Sequence, residues 1–144
     1  MEKFDSFSEK DTFDFAASLA KNVKPGTVIT LNGNLGCGKT VFTKGFGKGL
    51  GIEEVINSPT FTILKTYEGG RLTLNHFDVY RIEDLSEMDE IGYEDCFFGD
   101  GVSLVEWAEN IEELIPKNAI HVTIEKNPEK GFDYRAISVE GDLS

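Results

Sequence analysis

Basic residues are scarce in this 144-residue chain, where 14 Lys and Arg stand against 26 Asp and Glu for a formal net charge of −12. Such a chain lacks the positive field that drives direct binding to RNA or DNA. A macromolecular partner is therefore expected to be a protein, with a basic surface as its natural complement. No apolar run approaches the ~20 residues that a membrane span needs. The start, Met1-Glu2-Lys3-Phe4-Asp5, has neither the basic nor the apolar region of a signal peptide. Cysteine is limited to Cys37 and Cys96, too few for a disulfide framework. These absences predict a cytoplasmic protein with no membrane association. There is no internal repeat and no low-complexity linker, so residues 1–144 are expected to form a single domain.

What the chain does contain is the run Gly33-Asn34-Leu35-Gly36-Cys37-Gly38-Lys39-Thr40. It has the form G-x-x-x-x-G-K-T, the P-loop that cradles nucleotide phosphates. Before it, Thr27-Val28-Ile29-Thr30-Leu31, bounded by Pro25-Gly26, reads as a buried strand. After it, residues 39–50 read as a helix stopped by Gly49 and Gly51. The flanks matter, because four fixed positions alone arise by chance on the order of once in a hundred chains of this size. Glycines permit the tight turn that points consecutive N–H groups at phosphate oxygens, and the following helix adds the positive end of its dipole. Lys39 is expected to reach the β- and γ-phosphates, and the Thr40 hydroxyl to ligate Mg²⁺. Cys37 fills a position that asks only for a small side chain.

Elsewhere the periodicities alternate between helix and strand. Ser8-Glu9-Lys10-Asp11 resembles a capping box with Asp in place of Glu. Phe13, Ala16, Ala17 and Ala20 then fall on one helical face, which predicts an amphipathic helix over residues 9–22. Residues 61–67 alternate as a strand, Glu68-Gly69-Gly70 turns the chain, and residues 72–79 return beside it. One or two short acidic helices are expected within 83–98. Val102-Ser103-Leu104-Val105 is an apolar run of central-strand type, and a further helix precedes strands over 119–126 and 134–140. The order α, β, P-loop, α, β-hairpin, α, β, α, β, β predicts an α/β, three-layer, P-loop NTPase-like fold. Its mixed sheet is parallel around the P-loop, with antiparallel strands added.

Three further constellations bear on chemistry. Ser58-Pro59-Thr60-Phe61-Thr62 is either a turn feeding a strand or a hydroxyl-rich loop that closes over a γ-phosphate. In His76-Phe77-Asp78-Val79-Tyr80-Arg81, Asp78 is one candidate for the acid that P-loop enzymes place near Mg²⁺. His76 reads as a hydrogen-bonded structural residue rather than a catalytic base. Glu106, at the end of the Val102–Val105 run, is the stronger candidate acid, because a carboxylate continuing a central strand is costly unless paired or metal-bound. Trp107, the only tryptophan, is core, site wall or partner contact.

In this order, the P-loop, Ser58-Pro59-Thr60-Phe61-Thr62, His76-Phe77-Asp78-Val79-Tyr80-Arg81 and Val105-Glu106-Trp107 resemble the TsaE (YjeE) family. These are small bacterial P-loop ATPases required for threonylcarbamoyladenosine synthesis on tRNA, and the resemblance covers nearly the whole chain. It implies ATP/ADP and Mg²⁺ as cofactors, and action with the transferase TsaD and its partner TsaB. ATP hydrolysis would reset that complex between cycles, without itself transferring the threonylcarbamoyl group. Gly33, Asn34, Leu35, Gly36, Cys37, Gly38, Lys39 and Thr40 would hold the phosphates. Thr40, Glu106 and Asp78 would stand at Mg²⁺, and Lys39, Thr60, Asp78 and Glu106 would form the hydrolytic site. Thr12 and Arg135 fall where the family contacts the nucleotide beyond its phosphates. Asn34 stands where the family usually carries Asp, and Cys37 where it usually carries Ala.

Two rival nucleotide chemistries fit less well. A GTPase would need the glycine of a D-x-x-G switch, absent from Asp78-Val79-Tyr80-Arg81, and an N-K-x-D guanine motif, found nowhere in the chain. A small-molecule kinase usually brings arginines over the transferred phosphoryl group, and this chain has only Arg71, Arg81 and Arg135. A nucleotide-sensing module with negligible turnover would carry the same motifs as a slow ATPase.

Overall fold

The computed structural model describes residues 2–33, 38–54, 56 and 63–141. Strand β1 (Glu2–Ser6) leads into helix α1 (Glu9–Asn22), strand β2 (Val28–Asn32) and helix α2 (Lys39–Gly49). A hairpin of β3 (Leu64–Tyr67) and β4 (Leu74–Asp78) follows, then two short helices, α3 (Ser86–Glu90) and α4 (Tyr93–Phe97). The chain closes with β5 (Val102–Glu106), a 3₁₀ helix (Ala108–Leu114), β6 (Ile120–Lys126) and β7 (Arg135–Glu140).

The strands form one seven-stranded mixed sheet in the order β1-β7-β6-β2-β5-β4-β3. β2 runs parallel to both β5 and β6, and β4 runs parallel to β5. The outer pairs β3–β4, β6–β7 and β1–β7 are antiparallel. The expected mixed α/β architecture is therefore present. β2 and β5 are buried almost throughout, as continuous apolar runs with both faces covered must be. One face, with Ile29, Leu31, Leu104 and Val122, packs on α1 and α2. The other, with Val28, Phe77 and Val105, packs on Met88, Phe97, Ala108 and Ile111.

Two elements differ from expectation. β1 lies in a stretch where no strand is predicted, because only Phe4 among its residues is apolar; that ring stacks on Phe15 at 4.6 Å between centroids. The segment after Glu106 is a 3₁₀ helix broken at Ile111 (φ −130°) rather than a regular α-helix.

α1 begins as the capping residues imply, with the Asp11 N–H donating to Ser8 Oγ (3.1 Å). The reciprocal bond reaches one residue further back, from the Phe7 N–H to Asp11 Oδ2 (3.0 Å). Its buried face is Thr12, Ala16, Leu19 and Ala20, rotated slightly from the expected one. Phe13 and Ala17 are only partly buried. Their backbones meet α2 at Gly45 and Gly49, where a β-carbon would lie 2.3 Å from the Phe13 carbonyl oxygen and 2.2 Å from that of Ala17. Arg71, from the β3–β4 turn, closes the other end of α1 by donating to the carbonyls of Ala20 (2.7 Å) and Val23 (2.9 Å). A cation there also complements the helix dipole. α2 ends in a Schellman motif: the Ile52 N–H bonds the Gly47 carbonyl (3.0 Å), the Gly51 N–H bonds that of Lys48 (2.9 Å), and Gly51 takes φ +87°.

The close approach of α1 and α2 yields a direct test. Gly49→Ala is expected to lower stability by about 1–3 kcal/mol through overpacking, read as a lower denaturant midpoint at constant m-value. Unchanged or raised stability, the outcome of helix propensity alone, would contradict this packing.

Candidate active site

Three parallel strands end side by side. In the ladders Glu106, the last residue of β5, stands opposite Leu31 of β2 and opposite Asp78, the last residue of β4. β2 gives way at Gly33 to the glycine run, and α2 starts beside these ends at Lys39. Sheets of this kind bind ligands at the crevice outside their carboxyl ends. Asn34, Leu35, Gly36 and Cys37, and Ser58, Pro59 and Thr60, lie outside the described residues.

The start of α2 is built differently from that of α1. α1 has a serine cap and Glu9 and Asp11 in its first turn. The N-cap of α2 is Gly38 at φ +106°, which offers no side chain, and the first turn holds no acidic residue. The positive end of the α2 dipole thus meets no carboxylate of its own helix, the arrangement that suits a phosphate. Thr40 is exposed on the first turn.

Lys39 folds down into the crevice and is only 9% exposed. Its Nζ lies 3.9 Å from Glu106 Oε1 and 4.6 Å above the centre of the Trp107 ring. Glu106 is buried, and its second oxygen, Oε2, lies 2.7 Å from His76 Nε2. A carboxylate only accepts, so Nε2 carries the hydrogen and donates it. Asp78 is half-buried, and its Oδ1 accepts the Tyr80 N–H (3.1 Å) in an Asx turn that orients the carboxyl group.

Trp107 is the only non-glycine residue with positive φ (64°) among the described residues. For a large side chain this conformation costs on the order of 1–3 kcal/mol and persists only where its surroundings impose it. Here the Asn110 side chain donates to the carbonyls of Val79 (3.1 Å) and Tyr80 (3.2 Å), tying the loop after β5 to the loop after β4. The Tyr80 ring packs on Trp107 at 4.8 Å. The strained turn aims the indole at Lys39, so Trp107 is a wall of the site.

On the other side of the α2 start, Thr12, Gly38 and Arg135 line one pocket of about 130 Å³ with Ser8, Glu9, Val41, Phe132 and Asp133. Phe132 is 91% exposed at its rim. Thr12 is buried with its hydroxyl 2.7 Å from Ser6 Oγ, and Ser6 in turn donates to the Ser8 carbonyl (2.9 Å). Arg135 donates to the carbonyls of Phe132 (2.9 Å) and Tyr134 (2.7 Å). The structure thus brings Lys39 to Glu106, sets Asp78 opposite Glu106 in the ladder, and gathers Thr12 and Arg135 in one pocket with Gly38. His76, which reads from sequence as merely structural, also meets Glu106. The signal was its place two residues before Asp78, since alternate residues of a strand share a face.

The oxygen donors suit Mg²⁺, a hard cation usually bound by one or two carboxylates together with phosphate oxygens and water. Among the described residues no three His, Cys, Asp or Glu side chains converge as a protein-only cage. Glu106, Asp78 and the Thr40 hydroxyl, beside a helix end whose first turn holds no acidic residue, are the donors that would suit the cation.

Known proteins resemble this chain over most of its length. Residues 6–137 match the family model described as threonylcarbamoyl adenosine biosynthesis protein TsaE. The chain belongs to the TsaE family. It is 48% identical over 136 residues to the tRNA threonylcarbamoyladenosine biosynthesis protein TsaE of Bacillus subtilis, covering 94% of this chain and 83% of that protein. To the TsaE of Treponema pallidum it is 41% identical over 119 residues, 83% of this chain and 87% of the relative. The crystal structure of Bacillus subtilis YdiB superimposes with a TM-score of 0.81 at 41% identity, covering 96% of this chain and 83% of that one. In this TsaE-family chain, Asp78 and Glu106 end two adjacent strands, and His76, two residues before Asp78, is the side chain that bonds Glu106.

Removing the central carboxylate would leave Lys39 buried without its counter-charge and His76 without its acceptor. Glu106→Ala is expected to cost roughly 3–5 kcal/mol of stability. Glu106→Gln should cost less, because its amide oxygen can still accept from His76. Chemical denaturation of both variants checks the order, and equal losses would argue that the carboxylate contacts carry no weight.

Proposed function

We propose that this chain is a Mg²⁺-dependent P-loop ATPase acting in tRNA threonylcarbamoyladenosine biosynthesis, working with a TsaD-type transferase and a TsaB-type protein. The observation that carries the reading is the Lys39–Glu106 pair, with Asp78 opposite Glu106 in the ladder, beside a first turn of α2 that holds no acidic residue. The first N–H groups of α2 and the glycine run would hold the phosphates. Lys39, now only 3.9 Å from Glu106, would exchange that carboxylate for the β- and γ-phosphate oxygens. Thr40, Glu106 and Asp78 would hold Mg²⁺, which supplies charge neutralisation of the phosphates when bound. Hydrolysis forms a bond from a water oxygen to the γ-phosphorus and breaks the bond to the β–γ bridging oxygen, giving ADP and phosphate. Asp78 would orient that water, and Thr60 would complete the site. The pocket lined by Thr12 and Arg135 would take the nucleoside.

The surface favours indirect action on tRNA. A net charge of −12 gives no basic field for the nucleic acid, so contact with it falls to the partner proteins. Among the described residues no helix is long and apolar enough to cross a membrane, and a cytoplasmic site of action fits the two-cysteine composition.

Phosphate release from ATP, measured alone and with the partner complex, tests this. Lys39→Ala should lower the rate by about 10²–10³-fold, the scale for losing one transition-state donor. Wild-type turnover in that variant would sink the assignment. Nucleotide binding without turnover, even with the partners present, would favour a sensing module.

A further inference from the structure

His76 does more than fill space beneath the active site. It is fully buried, yet its Nδ1 has no hydrogen-bond partner among the described residues. An apolar side chain at this position, opposite Leu104 in the ladder, would leave no such atom unpaired. What the imidazole adds is one donor at the far end of a rigid ring, 2.7 Å from Glu106 Oε2. The two residues come from adjacent parallel strands, with His76 opposite Leu104 and Asp78 opposite Glu106. The distance from ring to carboxylate is therefore set by the sheet rather than by a flexible loop.

We infer that His76 is a positioning residue that fixes the Glu106 carboxylate, committing Oε2 to the imidazole and turning Oε1 toward Mg²⁺ and nucleotide. The inference rests on the reading of Glu106 as a Mg²⁺ residue given above. The geometry on the other side of the carboxylate supports it. Charge-assisted N–H···O bonds close to about 2.7–2.9 Å when unconstrained, whereas Lys39 Nζ stays 3.9 Å from Oε1. With Oε2 held back by His76, Glu106 does not collapse onto the lysine. Lys39 then remains near the site but loosely held, able to transfer to phosphate. Partners that orient a metal-binding side chain in this way are worth 10–100-fold in metal affinity in known sites.

Two near-isosteric substitutions separate positioning from structure. The amide nitrogen of His76→Gln can take the place of Nε2, while that of His76→Asn reaches only the region of Nδ1. Mg²⁺ is titrated into the full-length chain with ADP, using the fluorescence of Trp107, the single tryptophan, and thermal unfolding is followed in parallel. His76→Asn and His76→Ala should raise the Mg²⁺ midpoint about 10-fold, with His76→Gln within about 3-fold of wild type. In a Glu106→Gln background the same His76 changes should have no further effect on the midpoint. Equal Mg²⁺ midpoints for the Gln and Asn variants, or an undiminished effect without the Glu106 carboxylate, would overturn the inference while leaving the Glu106 assignment intact. A wild-type chain whose ADP binding ignores Mg²⁺ would overturn both.

Discussion

A buried carboxylate at the end of a central strand is the constraint around which this molecule is arranged. Taking Glu106 out of water costs several kcal/mol unless other groups compensate. Compensation comes from two directions, Lys39 at the start of α2 and His76 on β4. The three groups belong to different elements, so the crevice is complete only when β4, β5 and α2 are all in register. Stability is therefore tied to the residues of the candidate site. The ion pair that quiets the charges in the absence of ligand is the one that nucleotide binding would have to open.

The surrounding fold serves this geometry. Gly45 and Gly49 let α1 lie almost backbone to backbone on α2, which brings Thr12 to the α2 start. β7 carries Arg135 to the same pocket from the far side of the sheet. Beyond β5 the chain cannot run straight into a helix, because Trp107 occupies a left-handed conformation and the Asn110 side chain binds the neighbouring loop. The strain at Trp107 places an aromatic surface against Lys39. This is local cost beside the candidate site, offset by contacts elsewhere.

Much of this was legible in the residues themselves. The strand before the P-loop, the helix after it, the β3–β4 hairpin and the burial of the Val102–Glu106 run all follow from periodicity and turn chemistry. α1 is found at the predicted residues because Ser8 and Asp11 mark its start. β1 was not legible, since an edge strand with a single inward apolar residue has no hydrophobic period to detect. The buried face of α1 departs slightly from its apolar period. Phe13 shares the apolar period of the core residues, yet it is only partly buried and its backbone is what lies against Gly45 of α2. Sequence pattern likewise names Glu106 but not its partner. His76 lies 30 residues away, and only the parallel register of β4 on β5 brings the two together.

The account centres on Lys39 and Glu106 as two halves of one Mg²⁺–nucleotide site. A crystal structure of the chain with Mg²⁺ and a non-hydrolysable ATP analogue tests that claim most directly. It should show Lys39 Nζ moved from Glu106 onto the β- and γ-phosphates, with the cation among Thr40, Glu106 and phosphate oxygens. A nucleotide bound elsewhere, or Lys39 still paired with Glu106 beside it, would contradict the account.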